Sequence, residues 1–392
     1  MPLGNSCISR ASLPGGRCDA NQTRMDRSPS APAETAPRGP ASVALQTAMT
    51  LALGGVGALG AIWLGLPAAT LIGPSLLVTA VALAGVRVGI ADIVRDICFL
   101  FIGLSVGAGF VPEAGAAILR WPLAFLALGV TLGLTIAVGG WVLRRFFGFD
   151  RTSGVLAAAP GHLSFVLSIS MESGGDVGRV VIVQSMRLLT LTLVVPFLAV
   201  AMGYEVPPVA VIATAPMALW VLGLLAMAGL ALGWVFGKLK FPAPLVLGAM
   251  GASAVSHVVD LTPGGVPQWI LMPAYVVMGT LIGTRFAMMS WRLFRQSAVA
   301  GLVTTLVGAV FAGLGAIPVA WALEMELPHV LVSFSPGGLE TMIALGAIMG
   351  VNAAFLTACH VVRLVILSAM IPFAVSRAGR HRPAETPDPA HV

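Results

Sequence analysis

The sequence predicts an all-α polytopic membrane protein made of two inverted repeats. Three observations lead there. The 392 residues are 57% hydrophobic and only 10% charged, whereas soluble domains carry about 25% charged residues. The body of the chain is a succession of apolar runs, each near the roughly 20 residues that cross a bilayer. Finally, the second half of that body repeats the motifs of the first half at a nearly constant offset.

Taken in order, residues 1–43 form a tail rich in Pro, Ser, Ala, Gly and Arg. It has no periodicity and too little apolar surface for a core. It carries no apolar h-region, so it does not read as a signal peptide, and Met25 and Met49 are alternative starts. Spans are expected at about 44–65, 68–90, 93–112 and 121–143, then a broken segment at 153–171 and a span at 179–202. The second half gives 214–237, 242–259, 268–288 and 298–322, a broken segment at 329–349, and 352–376. Trp121, Trp141, Trp291 and Trp321 fall near span ends, where interfacial aromatics concentrate. Residues 377–392 are a polar tail opening with Arg377, Arg380 and Arg382. The domains are thus a tail (1–43), a first membrane repeat (44–203), a second (204–376) and a C-terminal tail (377–392).

The repeat is legible residue by residue. Ala159-Pro160-Gly161 recurs as Ser335-Pro336-Gly337, Arg187 as Arg363, and Pro196-Phe197 as Pro372-Phe373, all 176 positions on. Gly103, Gly107 and Phe110 recur as Gly279, Gly283 and Phe286 at the same offset. Leu66-Pro67-Ala68 recurs as Phe241-Pro242-Ala243 at 175. Such internal repeats typify secondary transporters. Basic residues decide orientation, because they collect on the cytoplasmic side. In the second repeat Lys238 and Lys240 follow the first span, and Arg285, Arg292 and Arg295 follow the third. In the first repeat the loop after the first span is uncharged, and Arg87, Arg95, Arg144, Arg145 and Arg151 fall on the opposite loops. That flip requires an odd number of crossings per repeat. About five each, plus one broken or re-entrant segment, fits with both termini cytoplasmic. Six crossings per repeat in parallel is the alternative.

The broken segments hold the candidate site. Pro336 removes a backbone donor, and Gly337 and Gly338 weaken a helix. In lipid such a break survives only where protein or a wet cavity satisfies the freed groups. Arg363 lies nine residues from Pro372, too deep to reach the interface comfortably. An intramembrane arginine costs roughly 2.5–3.5 kcal/mol on insertion scales, so it should face a partner or a cavity. Glu340 and Glu172 are the candidate partners. An Arg–Glu pair can simply hold helices together. The recurrence beside a second break instead suggests two helix ends turned toward one anion, with Arg187 and Arg363 near it. The candidate binding residues are Pro160, Gly161, His162, Ser164, Gln184 and Arg187 in the first repeat. In the second they are Pro336, Gly337, Gly338, Glu340, Thr341, His360 and Arg363. Glu340 or His360 could take up a coupling proton, although a lone membrane histidine more often only packs or hydrogen-bonds.

Other chemistry finds little support. The histidines show no HxxxH or HExxH spacing and the four cysteines no CxxC, so neither a metal nor another cofactor is expected. There is no GxxxxGK[ST] or G-x-S-x-G pattern, so neither an ATP motor nor a serine hydrolase is indicated. The net charge of +6 sits at span edges and in the tails, which argues for a membrane and against nucleic acid. The expected partners are the lipid bilayer and a small solute, with a carboxylate as the favoured class. A homodimer remains open, and no enzyme activity is expected.

The stretch SPGGLETM at 335–342, followed by HVVRLVILSAMIPF at 360–373, resembles the AbrB family of bacterial inner-membrane proteins. So do APGHLSFV at 159–166 and VQSMRLLTLTLVVPF at 183–197. The first copy departs from the pattern: His162 replaces the second Gly and Phe165 the expected acid. Glu340 sits one place earlier than usual. The resemblance implies an integral protein of the bacterial inner membrane, implicated in regulating gene expression. Members are also labelled ammonia monooxygenases, a chemistry for which these residues offer no metal constellation. Two functions follow as expectations. One is a transporter or exporter of a small anionic solute, and the other a membrane-embedded sensor or regulator that binds without transport. An oxygenase is a distant third.

Overall fold

The computed structural model describes residues 40–110, 121–161, 163–208, 215–241, 243–262, 264–287, 289 and 291–379, with the backbone alone at 40, 164, 378 and 379. The N-terminal tail, Pro242 and the end of the C-terminal tail lie outside the described residues.

Fourteen helices are described. The first half holds α1 (Pro40–Trp63), α2 (Ala69–Leu83), α3 (Asp92–Gly107), α4 (Pro122–Phe147), α5 (Arg151–Ala158), α6 (Leu163–Glu172) and α7 (Val177–Ala201). The second holds α8 (Leu219–Lys238), α9 (Pro244–Val258), α10 (Gln268–Thr284), α11 (Trp291–Leu323), α12 (Leu327–Phe334), α13 (Leu339–Ile348) and α14 (Ala353–Gly379). The boundaries keep the sequence offset. Both ends of α5 and α12, and of α6 and α13, differ by 176 residues, and both ends of α2 and α9 by 175. Even strain is copied: Ala68 and Ala243, which precede α2 and α9, have φ of 47° and 46°. A left-handed alanine costs roughly 1–2 kcal/mol.

Six of the described helices, α1, α4, α7, α8, α11 and α14, are long and apolar enough to cross a membrane, and the chain is a multi-pass membrane protein. The second and third helices of each half are shorter than the sequence suggested. α2 and α9 have 15 residues, α3 has 16 and α10 has 17. They rise about 22–26 Å, under the ~30 Å hydrocarbon core. The left-handed alanines delay the starts of α2 and α9, and Gly85, at φ 90°, follows the end of α2.

The halves interlock reciprocally. Gly103 and Gly107 of α3 lie against Val246, Ala249, Met250 and Ser253 of α9. The equivalent Gly279 and Gly283 of α10 lie against Leu71, Val78 and Thr79 of α2. In both pairs the contact advances in the same direction along both helices, so each pair runs parallel. α4 and α11, which occupy equivalent places in the two halves, behave oppositely. Gly139 meets Thr304, Thr135 meets Gly308 and Thr131 meets Gly315, an antiparallel pairing.

The broken segments are helix hairpins. The Ser153 hydroxyl of α5 accepts from the Asp176 amide at 2.7 Å, and Gly175 sits beside Ser153 and Ser170. The chain therefore enters along α5, breaks at Ala159–Gly161, and returns along α6 to the end where it began. The second hairpin does the same: Val332 of α12 packs with Val351, in the turn before α14, and with Leu356 in its first turn, and Gly346 of α13 lies on Leu356.

Candidate functional site

Each hairpin tip exposes carbonyls that a helix would have used, and each is held by an arginine from the following long helix. In the second half, Arg363 on α14 donates from Nη1 to Ser335 O at 2.6 Å and from Nη2 to Gly337 O at 2.7 Å. In the first, Arg187 on α7 donates from Nη1 to Ala159 O at 3.1 Å and from Nη2 to Gln184 Oε1. The Gln184 amide completes that clamp with bonds to Leu156 O and Ala159 O, both 2.9 Å. A cation at the C-terminal end of a short helix also meets the negative end of its dipole.

This corrects one expectation. Neither arginine makes an ion pair with a carboxylate among the described residues. Glu172 cannot be the partner of Arg187, because α6 folds back and carries it to the surface, where it accepts from Ser168 at 3.1 Å. Glu340 lies instead within electrostatic reach of Arg285, at the end of α10. Arg187 and Arg363 are 4% and 1% exposed, and their charges oppose each other. The Nε of each finds no hydrogen-bond partner among the described residues.

The two tips meet at one cavity of about 480 Å³. Pro160 and Gly161 line it from one hairpin, and Gly337, Gly338 and Glu340 from the other, with Gln184, Arg187 and Arg363 from the long helices. The first turn of α13 faces it, and its N-cap Gly338 provides no capping side chain. The tips also cross over: Gly338 touches Leu188 of α7, and Gly161 approaches Ile371 of α14.

Pro336, Thr341 and His360 fall outside this group. Pro336 is buried against Gly308 of α11, and Thr341 is buried in α13. His360 is buried on α14, with Nδ1 3.0 Å from Leu356 O. It stands where Gln184 stands in the first half. His162 and the side chain of Ser164 lie outside the described residues. Asp176 and Asn352, which share a helical face with the arginines in sequence, are N-caps: they accept from the amides of Arg179 and Phe355.

Sequence reasoning missed the far wall. Arg95, Asp96 and Phe99 of α3, Pro244 and Leu245 of α9, and Arg285 also line the cavity. In the sequence their charges read as loop residues. The only available signal was the recurrence of Leu66-Pro67-Ala68 as Phe241-Pro242-Ala243, which marks the start of α9.

The sequence model of the family described as transition state regulatory protein AbrB matches residues 21–114 and residues 71–378. The chain belongs to the AbrB family. A Bacillus subtilis relative named "Uncharacterized protein YhjN" is 29% identical over 271 residues, which cover 63% of this chain and 70% of that protein. An Escherichia coli relative named "Putative regulator AbrB" is 26% identical over 333 residues, covering 82% and 92%. The AbrB match takes in both hairpins, both arginines and the whole cavity lining.

Proposed function

We propose that this AbrB-family protein is a secondary transporter of a small organic anion, a carboxylate being the simplest class. The observation that carries the reading is the pair Arg187 and Arg363: two buried guanidiniums with no carboxylate partner among the described residues, lining one cavity between two helix breaks. Two buried cations are costly unless an anion can share the site. The cavity volume of about 480 Å³ lies within the roughly 300–1,000 Å³ usual for small-molecule sites.

In this reading the halves are inverted repeats, each with five crossings and one re-entrant hairpin. The antiparallel pairing of α4 with the equivalent α11 supports it, since parallel repeats would align them. Charge supports it too. Tracing the chain through that topology gathers Arg87, Arg95, Arg144, Arg145, Lys238, Lys240, Arg285, Arg292 and Arg377 at one end, with Glu205, Asp260, Glu324 and Glu326 at the other. The positive-inside rule makes the first end cytoplasmic, with both termini there, in the bacterial inner membrane. The hairpins then enter from opposite faces, an arrangement suited to alternating access around a fixed site.

A second reading, a membrane sensor that binds without transport, is favoured by the word "regulator" in the E. coli relative's name. Counterflow of radiolabelled carboxylates in proteoliposomes separates the two. Saturable counterflow, lost in Arg187→Gln, supports the transporter. Saturable binding with no flux overturns it in favour of the sensor.

A further inference from the structure

A second cavity, of about 690 Å³, lies between α4, α5 and α14, away from the hairpin tips. Its walls are apolar, formed by Gly133, Ile136, Ala137 and Val155 with Met370 and Phe373. One end is ringed by Arg144, Arg151 and Arg377, with Trp141 beside them. None of these arginines makes an ion pair among the described residues. Among the described residues Arg144 donates only from Nε, to Gly140 O at 3.3 Å. Arg377 lies over the Phe373 ring, 4.4 Å from its centroid, so its N–H edges stay available.

These cations are not part of the repeat. Counted at the repeat offset, the equivalents of Arg144, Arg151 and Arg377 are Ala320, Leu327 and Ala201. The other half thus carries three apolar residues at the equivalent positions. Three cations at the end of an apolar groove, at the depth where long helices leave the bilayer, match a lipid with an anionic headgroup.

We propose that this groove, on the membrane reading above, is a binding site for an anionic phospholipid: its phosphate sits among Arg144, Arg151 and Arg377, and its acyl chains lie along α4 and α14. The site is distinct from the hairpin cavity, so its failure and that of the transport reading are separable.

The test is native mass spectrometry of the full-length protein in mild detergent, titrated with phosphatidylglycerol, cardiolipin, phosphatidylethanolamine or inorganic phosphate. The expected result is retention of one of the two anionic lipids over phosphatidylethanolamine. The triple variant Arg144→Gln/Arg151→Gln/Arg377→Gln should weaken it by about a hundredfold, from roughly fivefold per arginine. Replacing all three arginines with lysine should restore most of the binding and guards against misfolding of the glutamine variant. Arg145→Gln, one residue outside the groove, should change it less than threefold. Equal retention of phosphatidylethanolamine, or unchanged binding in a folded triple variant, overturns the proposal. Binding of inorganic phosphate as tight as that of lipid overturns it in favour of a soluble anion site. Anionic lipid retained only after removal of residues 380–392 overturns it too, because the tail would then be the occupant.

Discussion

Arg363 grips Ser335 across 28 positions of sequence, its Nη1 2.6 Å from the serine carbonyl oxygen. Arg187 and Ala159 repeat that relationship at the same separation in the other half. The arginines therefore have two duties. They satisfy the backbone where a hairpin breaks, and they bring positive charge to the cavity. The duties differ in weight, because only the first half has Gln184 as a second clamp on its tip.

That asymmetry yields the first prediction. Arg363→Gln removes two charge-assisted bonds to buried carbonyls, each worth about 1.5–3 kcal/mol. It should cost about 3 kcal/mol or more and lower the melting temperature of the detergent-solubilised protein clearly. Arg187→Gln leaves Ala159 O bonded to Gln184, so it should cost about half as much or less. Ligand-induced stabilisation should nonetheless vanish in Arg187→Gln, since a ligand that binds the native state raises stability by mass action. Equal destabilisation by the two variants would refute the unequal clamping.

The reciprocal helix packing yields the second. A Cβ at Gly107 would come 2.4 Å from Met250 O, and one at Gly279 2.5 Å from Leu71 O. Backbone cannot yield as a side chain can, so Gly107→Ala and Gly279→Ala should each destabilise by about 1–3 kcal/mol through overpacking. Gly55, in α1, has nothing within 4 Å of its would-be Cβ. Gly55→Ala should be neutral or stabilising by up to ~1 kcal/mol. Thermal unfolding of the three variants in one detergent checks the contrast, and a loss at Gly55 matching that at Gly107 would refute it.

The apolar runs and the repeat were readable because hydropathy and a fixed offset survive without any contact information. The hairpins were not. A Pro-Gly break reads the same whether a helix continues beyond it or turns back, and only the proximity of Ser153 to Asp176 decides. For the same reason Glu172 looked like a partner for Arg187, while the fold carries it to the surface. The carbonyl partners of the arginines were hidden because sequence records side chains and the acceptors are backbone. Arg95 and Arg285 were read as topology markers, since nothing local says that the end of α10 borders a cavity. The short α2 and α9 depend on left-handed alanines, a conformation that alanine does not advertise.

The third prediction concerns Glu340. Its charge lies near Arg285 and lines the same cavity as Arg187 and Arg363. Glu340→Gln removes the acid that belongs to the binding wall and leaves the cavity more positive. An anionic solute should then bind more tightly, by about threefold to tenfold for roughly 1 kcal/mol of relieved repulsion. The apparent affinity in counterflow measures this. Weaker binding would mean that Glu340 contacts the solute directly or holds Arg285 in position.

The last prediction tests orientation. With inverted repeats and cytoplasmic termini, Lys240 and Arg292 share the cytoplasmic face, and Asp260 and Glu324 the opposite one. Single cysteines at these four positions, in a background with Cys7 and Cys18 replaced by serine, can be probed with a membrane-impermeant maleimide. The native Cys98 and Cys359 are buried and should stay silent. Asp260→Cys and Glu324→Cys should label in intact spheroplasts, whereas Lys240→Cys and Arg292→Cys should label only after lysis. Parallel repeats of six crossings predict otherwise: with an even number of crossings, Lys240 would face the same side as the uncharged loop after α1. Labelling of Lys240→Cys from outside would therefore overturn the inverted arrangement, and with it the entry of the two hairpins from opposite faces that alternating access requires.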